Sequence, residues 1–161
     1  MILRSFEPIT DRRSKVLILG TMPGPVALER REYYGFPGNH FWKLVPDVLK
    51  TARPTAYEDK IGLLREHGIA LWDVIAACRR EGAADSAIRN VRPNDLPGLL
   101  KRCPKIAVIY LNGTLAETLY KRHFGAISLP TFRLPSSSPA HASMSYEDKL
   151  KRWSVIQRYL N

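Results

Sequence analysis

Four short and nearly continuous apolar runs recur along the chain. They are KVLILG (15–20), GIALWDV (68–74), KIAVIYLNG (105–113) and TFRLP (131–135). A run without polar alternation is typical of a strand that other layers cover on both faces, as in a parallel sheet. We therefore predict four strands, each buried on both faces.

Segments with the spacing of amphipathic helices separate these runs. The predicted helices span 39–52, 56–68, 94–103, 113–125 and 145–160, and the second and fourth end at glycine, a common helix terminator. This alternation predicts an α/β fold in which helices cover a mostly parallel four-stranded sheet. With 161 residues, the chain is expected to form a single domain, 1–161. The last helix carries an apolar stripe made of Leu150, Trp153, Ile156, Tyr159 and Leu160.

Unusual loops follow the predicted strands. They are GTMPGP, DVIAACRREGAADSAIRN, NGT and PSSSPAHASM, in chain order. Open α/β folds bind ligands at the carboxyl edge of the sheet, where such loops converge, although each loop alone is also compatible with an ordinary turn. The first loop lacks the GxGxxG pattern of dinucleotide sites and the Gly-Lys-Ser/Thr of P-loops. Gly20 and Gly24 still allow the backbone to approach a ligand closely.

Two types of side chain near these loops have alternative interpretations. Tyr33 and Tyr34 fit either the core or a platform on which a planar base stacks. Asn39 fits the cap of the helix that begins at His40, because Asn is a common capping residue.

The charge and the cysteines limit the classes of partner and site. Twenty-five Lys and Arg against fifteen Asp and Glu give a net charge of +10 and a pI near 9.9, which favours a polyanionic partner. Cys78 and Cys103 are too few and too far apart for a thiolate zinc or iron–sulfur site, and both are expected to be reduced. Because no signal-peptide pattern or run of about 18 apolar residues is present, we expect a cytoplasmic protein.

Two motifs together identify a resemblance. The pattern GTMPG…YYGFPGNHFW, joined to LPSSSPAHA, resembles the uracil-DNA glycosylase superfamily, and most closely its hypoxanthine (deoxyinosine) glycosylase branch. The resemblance extends through GIALWDVIAACRREGAADSAIRN and IYLNGTLAETLY, in the same order. It implies a three-layer α/β/α sandwich with a four-stranded parallel sheet. It also implies a monofunctional enzyme of base-excision repair that flips a deaminated base, hypoxanthine first, out of double-stranded DNA and cleaves its N-glycosidic bond. The implied enzyme needs no cofactor, metal or membrane and is expected to be a monomer.

The resemblance also implies roles for residues that would surround the flipped base and its N-glycosidic bond. Relatives that remove uracil have Asp or Asn at the third position of the first motif, where this chain has Met22. The branch without that residue has an important Asn downstream, which makes Asn39 the catalytic candidate, either by positioning water or by stabilising the leaving base. Tyr34 corresponds to the aromatic ring that stacks on the flipped base. Asn112 corresponds to a region near the base edge, or it ends the strand and caps the next helix. The implied active-site loop is Gly20, Thr21, Met22, Pro23 and Gly24.

The second motif implies contacts with DNA. Its loop enters the minor groove in relatives, and Leu134 replaces the polar residue that uracil-removing relatives have ahead of it. His141 is predicted to be an exposed loop residue, or else to contact a phosphate or the opposite strand. The predicted minor-groove loop consists of Ser136, Ser137, Ser138, Pro139 and His141, and the predicted phosphate contacts are Arg79, Arg80 and Arg89, in a cluster with Arg92.

The remaining charges near the site receive structural roles. Lys149, Lys151 and Arg152 on the last helix are predicted to be solvated. The acids near the arginine cluster are expected to order those arginines, and they are Asp73, Glu81 and Asp85.

Three other functions stay open at this point. A uracil-removing enzyme is the nearest alternative, against which Met22 and Leu134 count. A catalytically silent DNA module that senses lesions is compatible with the missing polar positions. A hydrolase of free nucleosides or nucleotides is compatible with the Gly/Pro loop.

Overall fold

A computed structural model of the chain describes residues 1–139 and 143–160. In chain order, its strands are β1 (Leu3–Arg4), β2 (Val16–Gly20), β3 (Ile69–Asp73), β4 (Ile75–Arg79), β5 (Arg89–Pro93), β6 (Val108–Asn112) and β7 (Thr131–Leu134). Its α-helices are α1 (Pro25–Arg30), α2 (Phe41–Leu49), α3 (Tyr57–Glu66), α4 (Leu96–Arg102), α5 (Thr114–Phe124) and α6 (Tyr146–Trp153), and 3-10 turns span Asp85–Ala87 and Ser154–Tyr159.

The four predicted strands form one parallel sheet in the order β3-β2-β6-β7. Its register pairs Gly20 with Asp73 and Asn112 with Leu134, so the carboxyl ends of the strands lie at one edge. β2, β3 and β6 are buried throughout, as predicted. The prediction of burial on both faces is wrong for β7, whose first three residues are exposed because it is the edge strand of the sheet.

The sheet lies between two helical layers, which confirms the predicted α/β/α sandwich. On one face, Leu17 and Leu19 pack in a cluster with apolar residues of α4 and α5. On the other face, Val16 and Ile18 pack with apolar residues of α2, α3 and α6. Successive residues of a strand point to opposite faces, which explains why a continuous apolar run fills both interfaces.

A second sheet occupies part of what the sequence indicated to be a loop. β4 pairs antiparallel with both β1 and β5, in the order β1-β4-β5. Four of the five residues of β5 are exposed and β1 has two residues, so neither carries an apolar pattern. α1 was also not predicted, because its six residues are fewer than two helical turns and lie within the Gly/Pro-rich segment.

In the described part of the chain, no helix combines the length and apolar character needed to cross a bilayer. Cys78 and Cys103 are buried and unbridged, in agreement with the expectation of reduced thiols.

Candidate active site

A cavity of about 750 Å³ lies at the carboxyl edge of the parallel sheet. It brings together segments that are far apart in the sequence, and the residues relevant to function among its walls are the first loop (20–25), Tyr34, Asn39, Asp73, Arg80, Asn112 and the loop 136–139. The cavity therefore has the place predicted from the convergence of the strand ends.

Tyr34 is held as part of the cavity wall by contacts on its ring and its hydroxyl. The ring stacks on buried Phe41 with a centroid distance of 4.2 Å and an interplanar angle of 18°. The hydroxyl oxygen accepts a hydrogen bond from the Asn112 side-chain amide at 3.0 Å. Burial, with the nearby Asp73 carboxyl, raises the pKa of Tyr34, so the hydroxyl stays neutral. Tyr33 is instead a core residue, whose hydroxyl donates to the Glu7 carbonyl at 2.8 Å.

Asn39 lines the cavity and bonds the first residue of α2, whose N-cap is His40 and not the predicted Asn39. Its side-chain Oδ1 accepts a hydrogen bond from the Phe41 backbone N–H at 2.9 Å. A backbone N–H requires an acceptor, which fixes the orientation of the amide with Oδ1 towards the helix. The remaining group, the NH2, is therefore a pair of donors, for which the described residues offer no hydrogen-bond acceptor.

The Asn112 amide is committed to contacts within the protein. Its Oδ1 accepts from the Ser137 backbone N–H at 2.9 Å, and its Nδ2 donates to the Ser137 hydroxyl at 2.9 Å and to Tyr34 at 3.0 Å. The alternative role as a cap of α5 is wrong, since Gly113 is the N-cap and no side chain bonds the free N–H groups there. Whether Asn112 also contacts a base edge stays a prediction.

The loop 136–139 is fixed to the protein at Ser137. This residue is almost fully buried, and its carbonyl accepts a hydrogen bond from the His40 backbone N–H at 2.9 Å. The Ser136 hydroxyl accepts from the Ser138 backbone N–H at 3.1 Å, and Pro139 is exposed. Gly113 has a φ of 96°, and a Cβ there would lie 3.2 Å from the Ser136 Cβ, so glycine is needed beside the loop. His141 lies outside the described residues.

Asp73, which the sequence predicted to order the arginines, has a different place in the structure. It ends β3, is 4% exposed, and lines the cavity with a side-chain Oδ2 that has no hydrogen-bond partner within the described residues. Burial raises the pKa of Asp73 to about 7. The expectation that Asp73 orders the arginines is wrong, because no ion pair to it occurs in the described structure. Gly20 lies beside it, and a Cβ at Gly20 would be 2.6 Å from Asp73 Oδ1 and 2.7 Å from the Tyr34 hydroxyl.

Comparison with known proteins assigns the family. A model described as the uracil DNA glycosylase superfamily matches residues 7–160, almost the whole chain. The chain belongs to the uracil DNA glycosylase superfamily. It is 36% identical to a hypoxanthine DNA glycosylase of Methanosarcina acetivorans over 160 residues, which cover 99% of this chain and 100% of the relative. It is 32% identical to a hypoxanthine DNA glycosylase of Methanosarcina barkeri over 139 residues, covering 86% of this chain and 87% of the relative.

The solved structures agree with this assignment. A solution NMR structure of a Methanosarcina acetivorans protein, studied as a candidate uracil DNA glycosylase, is 37% identical. The two structures match with a TM-score of 0.88 over 99% of each chain. The resemblance and the fold that the two motifs predicted are thus confirmed.

The three arginines that were predicted to contact phosphates differ in where they lie relative to the cavity. Arg80 lines the cavity and donates to the Pro23 carbonyl at 3.0 Å, so it braces the first loop. Arg79 and Arg89 face each other across the β4–β5 ladder, are exposed, and do not line the cavity. Asp85 lines the cavity near Arg80; burial raises its pKa and the guanidinium opposes that rise.

The prediction that the charged residues of the last helix are solvated is wrong for Lys149. Its side chain is fully buried, and its Nζ lies 3.3 Å from His40 Nδ1. Burial lowers the pKa of Lys149, and burial together with Lys149 lowers the pKa of His40. Lys151 and Arg152 are exposed, as predicted. Across residues 1–139 and 143–160 of this glycosylase-superfamily chain, no three His, Cys, Asp or Glu side chains are grouped to hold a metal ion.

Proposed function

We propose that this protein releases hypoxanthine from deoxyinosine in double-stranded DNA by hydrolysing the N-glycosidic bond, which leaves an abasic site. The observation that carries the proposal is the cavity of about 750 Å³ at which an aromatic ring, an amide donor and a buried carboxyl meet. Membership of the superfamily supports the glycosylase reaction. The two relatives named hypoxanthine DNA glycosylase support the choice of base.

The cavity suits a nucleotide that has left the base stack. Extrusion of a nucleotide costs a few kcal/mol, and less for a deaminated base whose pairing is weakened. Stacking on an aromatic ring contributes about 1–3 kcal/mol per base, and Phe41 holds the Tyr34 ring in place for it. The loop 136–139 is anchored by Asn112 and His40, so it can occupy the gap in the duplex without collapsing.

Asn39 supplies a donor to the departing base in this proposal. Cleavage leaves negative charge on the base, and a preorganised donor to such charge is typically worth about 3 kcal/mol. Because Oδ1 accepts from the Phe41 N–H, the amide presents its NH2 to the cavity. That geometry favours stabilisation of the leaving base over acceptance of a proton from water. The hydrogen bond to α2 and the catalytic role then use opposite ends of one amide.

Asp73 supplies recognition of a deaminated base. Hypoxanthine has a ring N–H next to a carbonyl, and a neutral carboxyl offers one O–H donor and a carbonyl acceptor, which match that pair. Burial keeps a large share of Asp73 neutral near pH 7. An ionised carboxylate would keep the acceptor and repel the base carbonyl. Xanthine and uracil share the same edge, so this contact selects the class of deaminated bases.

The test is base release from duplexes that each carry deoxyinosine, deoxyxanthosine or deoxyuridine, read by alkaline cleavage of abasic sites under single-turnover conditions. We expect release of hypoxanthine to be fastest. Faster release of uracil would support the uracil-removing alternative, and faster hydrolysis of free deoxyinosine would support a nucleoside hydrolase. Tight binding to the lesion duplex without release of any base would support the silent lesion-binding module.

Two substitutions at Asn39 separate its two contacts. Asn39→Asp keeps an oxygen for the Phe41 N–H but removes the NH2, so we expect normal folding stability and a loss of base release of about 100-fold. Asn39→Ala removes both contacts and should also lose about 1 kcal/mol of stability with the hydrogen bond to the Phe41 N–H. A wild-type single-turnover rate in Asn39→Asp would show that the NH2 is not the catalytic donor.

A further inference from the structure

A second cavity has a volume of about 490 Å³ and borders the loop 136–139 at Ser136. Its walls come from the edge strand β7 and from the C-terminal segment that consists of α6 and the turn Ser154–Tyr159. Ser136 lines both cavities, so the two are neighbours at the same edge of the sheet. We name this second cavity the arginine groove, defined by Tyr110, Phe132, Arg133, Leu134, Arg152 and Arg158.

The groove is strongly positive. Arg133, Arg152 and Arg158 all line it and all are exposed, and no Asp or Glu lines it in the described part of the chain. Arg133 is 3.5 Å from Glu117, whereas Arg152 and Arg158 have no carboxylate within ion-pair distance among the described residues. Two guanidinium groups are therefore available to a ligand with negative charge.

The groove also presents an apolar surface between these cations. Phe132 is 46% exposed although it lies in a strand, and its ring packs at 30° against Tyr110, with 5.8 Å between the centroids. The Tyr110 hydroxyl donates to the Val155 carbonyl at 3.0 Å, which joins the floor of the groove to the C-terminal segment. An anchored aromatic surface flanked by unpaired guanidiniums matches a ligand that alternates anionic and apolar groups, as sugars and phosphates do along a DNA strand.

We propose that the arginine groove binds the sugar-phosphate backbone of the DNA on one side of the flipped nucleotide, with Arg152 and Arg158 on phosphates and Phe132 against a deoxyribose. This inference rests on the proposed function, because the groove lies next to the active-site cavity through Ser136. The net charge of +10 attracts DNA to the protein as a whole, and the arginine groove is where we expect the backbone to bind. It is separate from Arg79, Arg80 and Arg89, which lie at β4 and β5.

The test measures the affinity of the whole protein for a duplex that carries a stable abasic-site analogue, across a series of salt concentrations. Each lost phosphate contact should reduce the slope of log affinity against log salt by about 0.9. For the double variant Arg152→Gln/Arg158→Gln we expect a slope lower by close to 2 and, at about 0.1 M salt, an affinity weaker by up to about 60-fold. The matched control is Lys101→Gln/Arg102→Gln, which removes the same charge at the exposed end of α4, near the amino ends of the strands.

The outcomes are distinct. Equal slopes for the double variant and the control would overturn the proposal, since only net charge would then matter. Duplexes shortened on one side of the lesion provide a second measurement: on one of the two sides, shortening should abolish the difference between wild type and the double variant. A difference that persists in both duplexes, the one shortened on the first side and the one shortened on the second, would also overturn it. Release of hypoxanthine by the same wild-type preparation reports separately on the proposed function.

Discussion

Replacement of Asp73 by Asn should remove a pH dependence of the folding free energy that one buried carboxyl causes. Burial raises the pKa of Asp73 from 3.8 to about 7. A group whose pKa is higher in the folded state holds its proton more tightly there. Its contribution to stability is therefore complete below about pH 4 and is lost as the pH rises to about 7. A rise of about three in pKa, at about 1.4 kcal/mol each, corresponds to about 4 kcal/mol at most.

The assay is urea unfolding of wild type and Asp73→Asn at a series of pH values from 4 to 9. The difference between their free energies of unfolding isolates this carboxyl from the other titrating groups. We expect that difference to move in favour of Asp73→Asn as the pH rises and to level off above about pH 7. Asp59→Asn, on an exposed position of α3, is the control and should follow wild type. A difference that does not change between pH 4 and 8 would refute the assignment of a neutral carboxyl.

Further predictions concern the residues around this carboxyl and the buried lysine. Gly20→Ala should slow single-turnover base release by more than tenfold, because its Cβ would lie 2.6 Å from Asp73 Oδ1 and 2.7 Å from the Tyr34 hydroxyl; that loss corresponds to about the free energy of one hydrogen bond. Gly62→Ala, with open space at its Cβ, is the control. Equal rates of base release in the two variants would contradict the steric argument. Tyr34→Ala should weaken binding to the lesion duplex by about 10- to 100-fold through lost stacking, whereas Tyr34→Phe keeps the ring and should lose little, and equal losses in the two variants would argue against stacking. Because burial lowers the pKa of Lys149, wild type should gain stability relative to Lys149→Met as the pH rises from 7 to 10, and a constant difference in denaturant unfolding would speak against a buried amine.

The sheet could be predicted from the sequence because its strands need apolar side chains on both faces. β2, β3 and β6 are buried at every position, and each corresponds to one of the predicted runs. The second sheet could not be predicted in this way. Its strand β5 is held by backbone pairing to β4 while its side chains remain mostly in water, so no hydrophobic pattern records it.

The site was partly predictable for a related reason. The convergence of strand ends predicted that Gly20, Asn112 and the loop 136–139 meet, and they do. Asp73 was predicted to order the arginines because an acid near several arginines in a sequence is usually paired with them, and a sequence does not show the distances between side chains. The burial of Lys149 could have been predicted from the sequence, because Lys149 lies four residues before Trp153 and therefore on the same, buried face of the helix.

The hydrogen bonds of the cavity indicate which groups await a ligand. Asn112 joins Tyr34 to Ser137, and the Ser137 carbonyl in turn accepts from the His40 N–H. These contacts fix the segment that carries Tyr34, the end of β6, the loop 136–139 and the start of α2 to one another. The side-chain amide of Asn112 and the backbone N–H and carbonyl of Ser137 thus have their partners within the protein. In contrast, Asp73 Oδ2 is buried in the same cavity without a partner among the described residues, and the NH2 of the half-buried Asn39 makes no hydrogen bond to them. A buried polar group without a partner costs about 1–3 kcal/mol, so a site that keeps the Asp73 carboxyl unpaired regains that free energy when a base with matching groups enters. The anchored network then explains why the entering base meets a fixed set of groups, and why the two unpartnered groups are the ones whose substitution should change the reaction most.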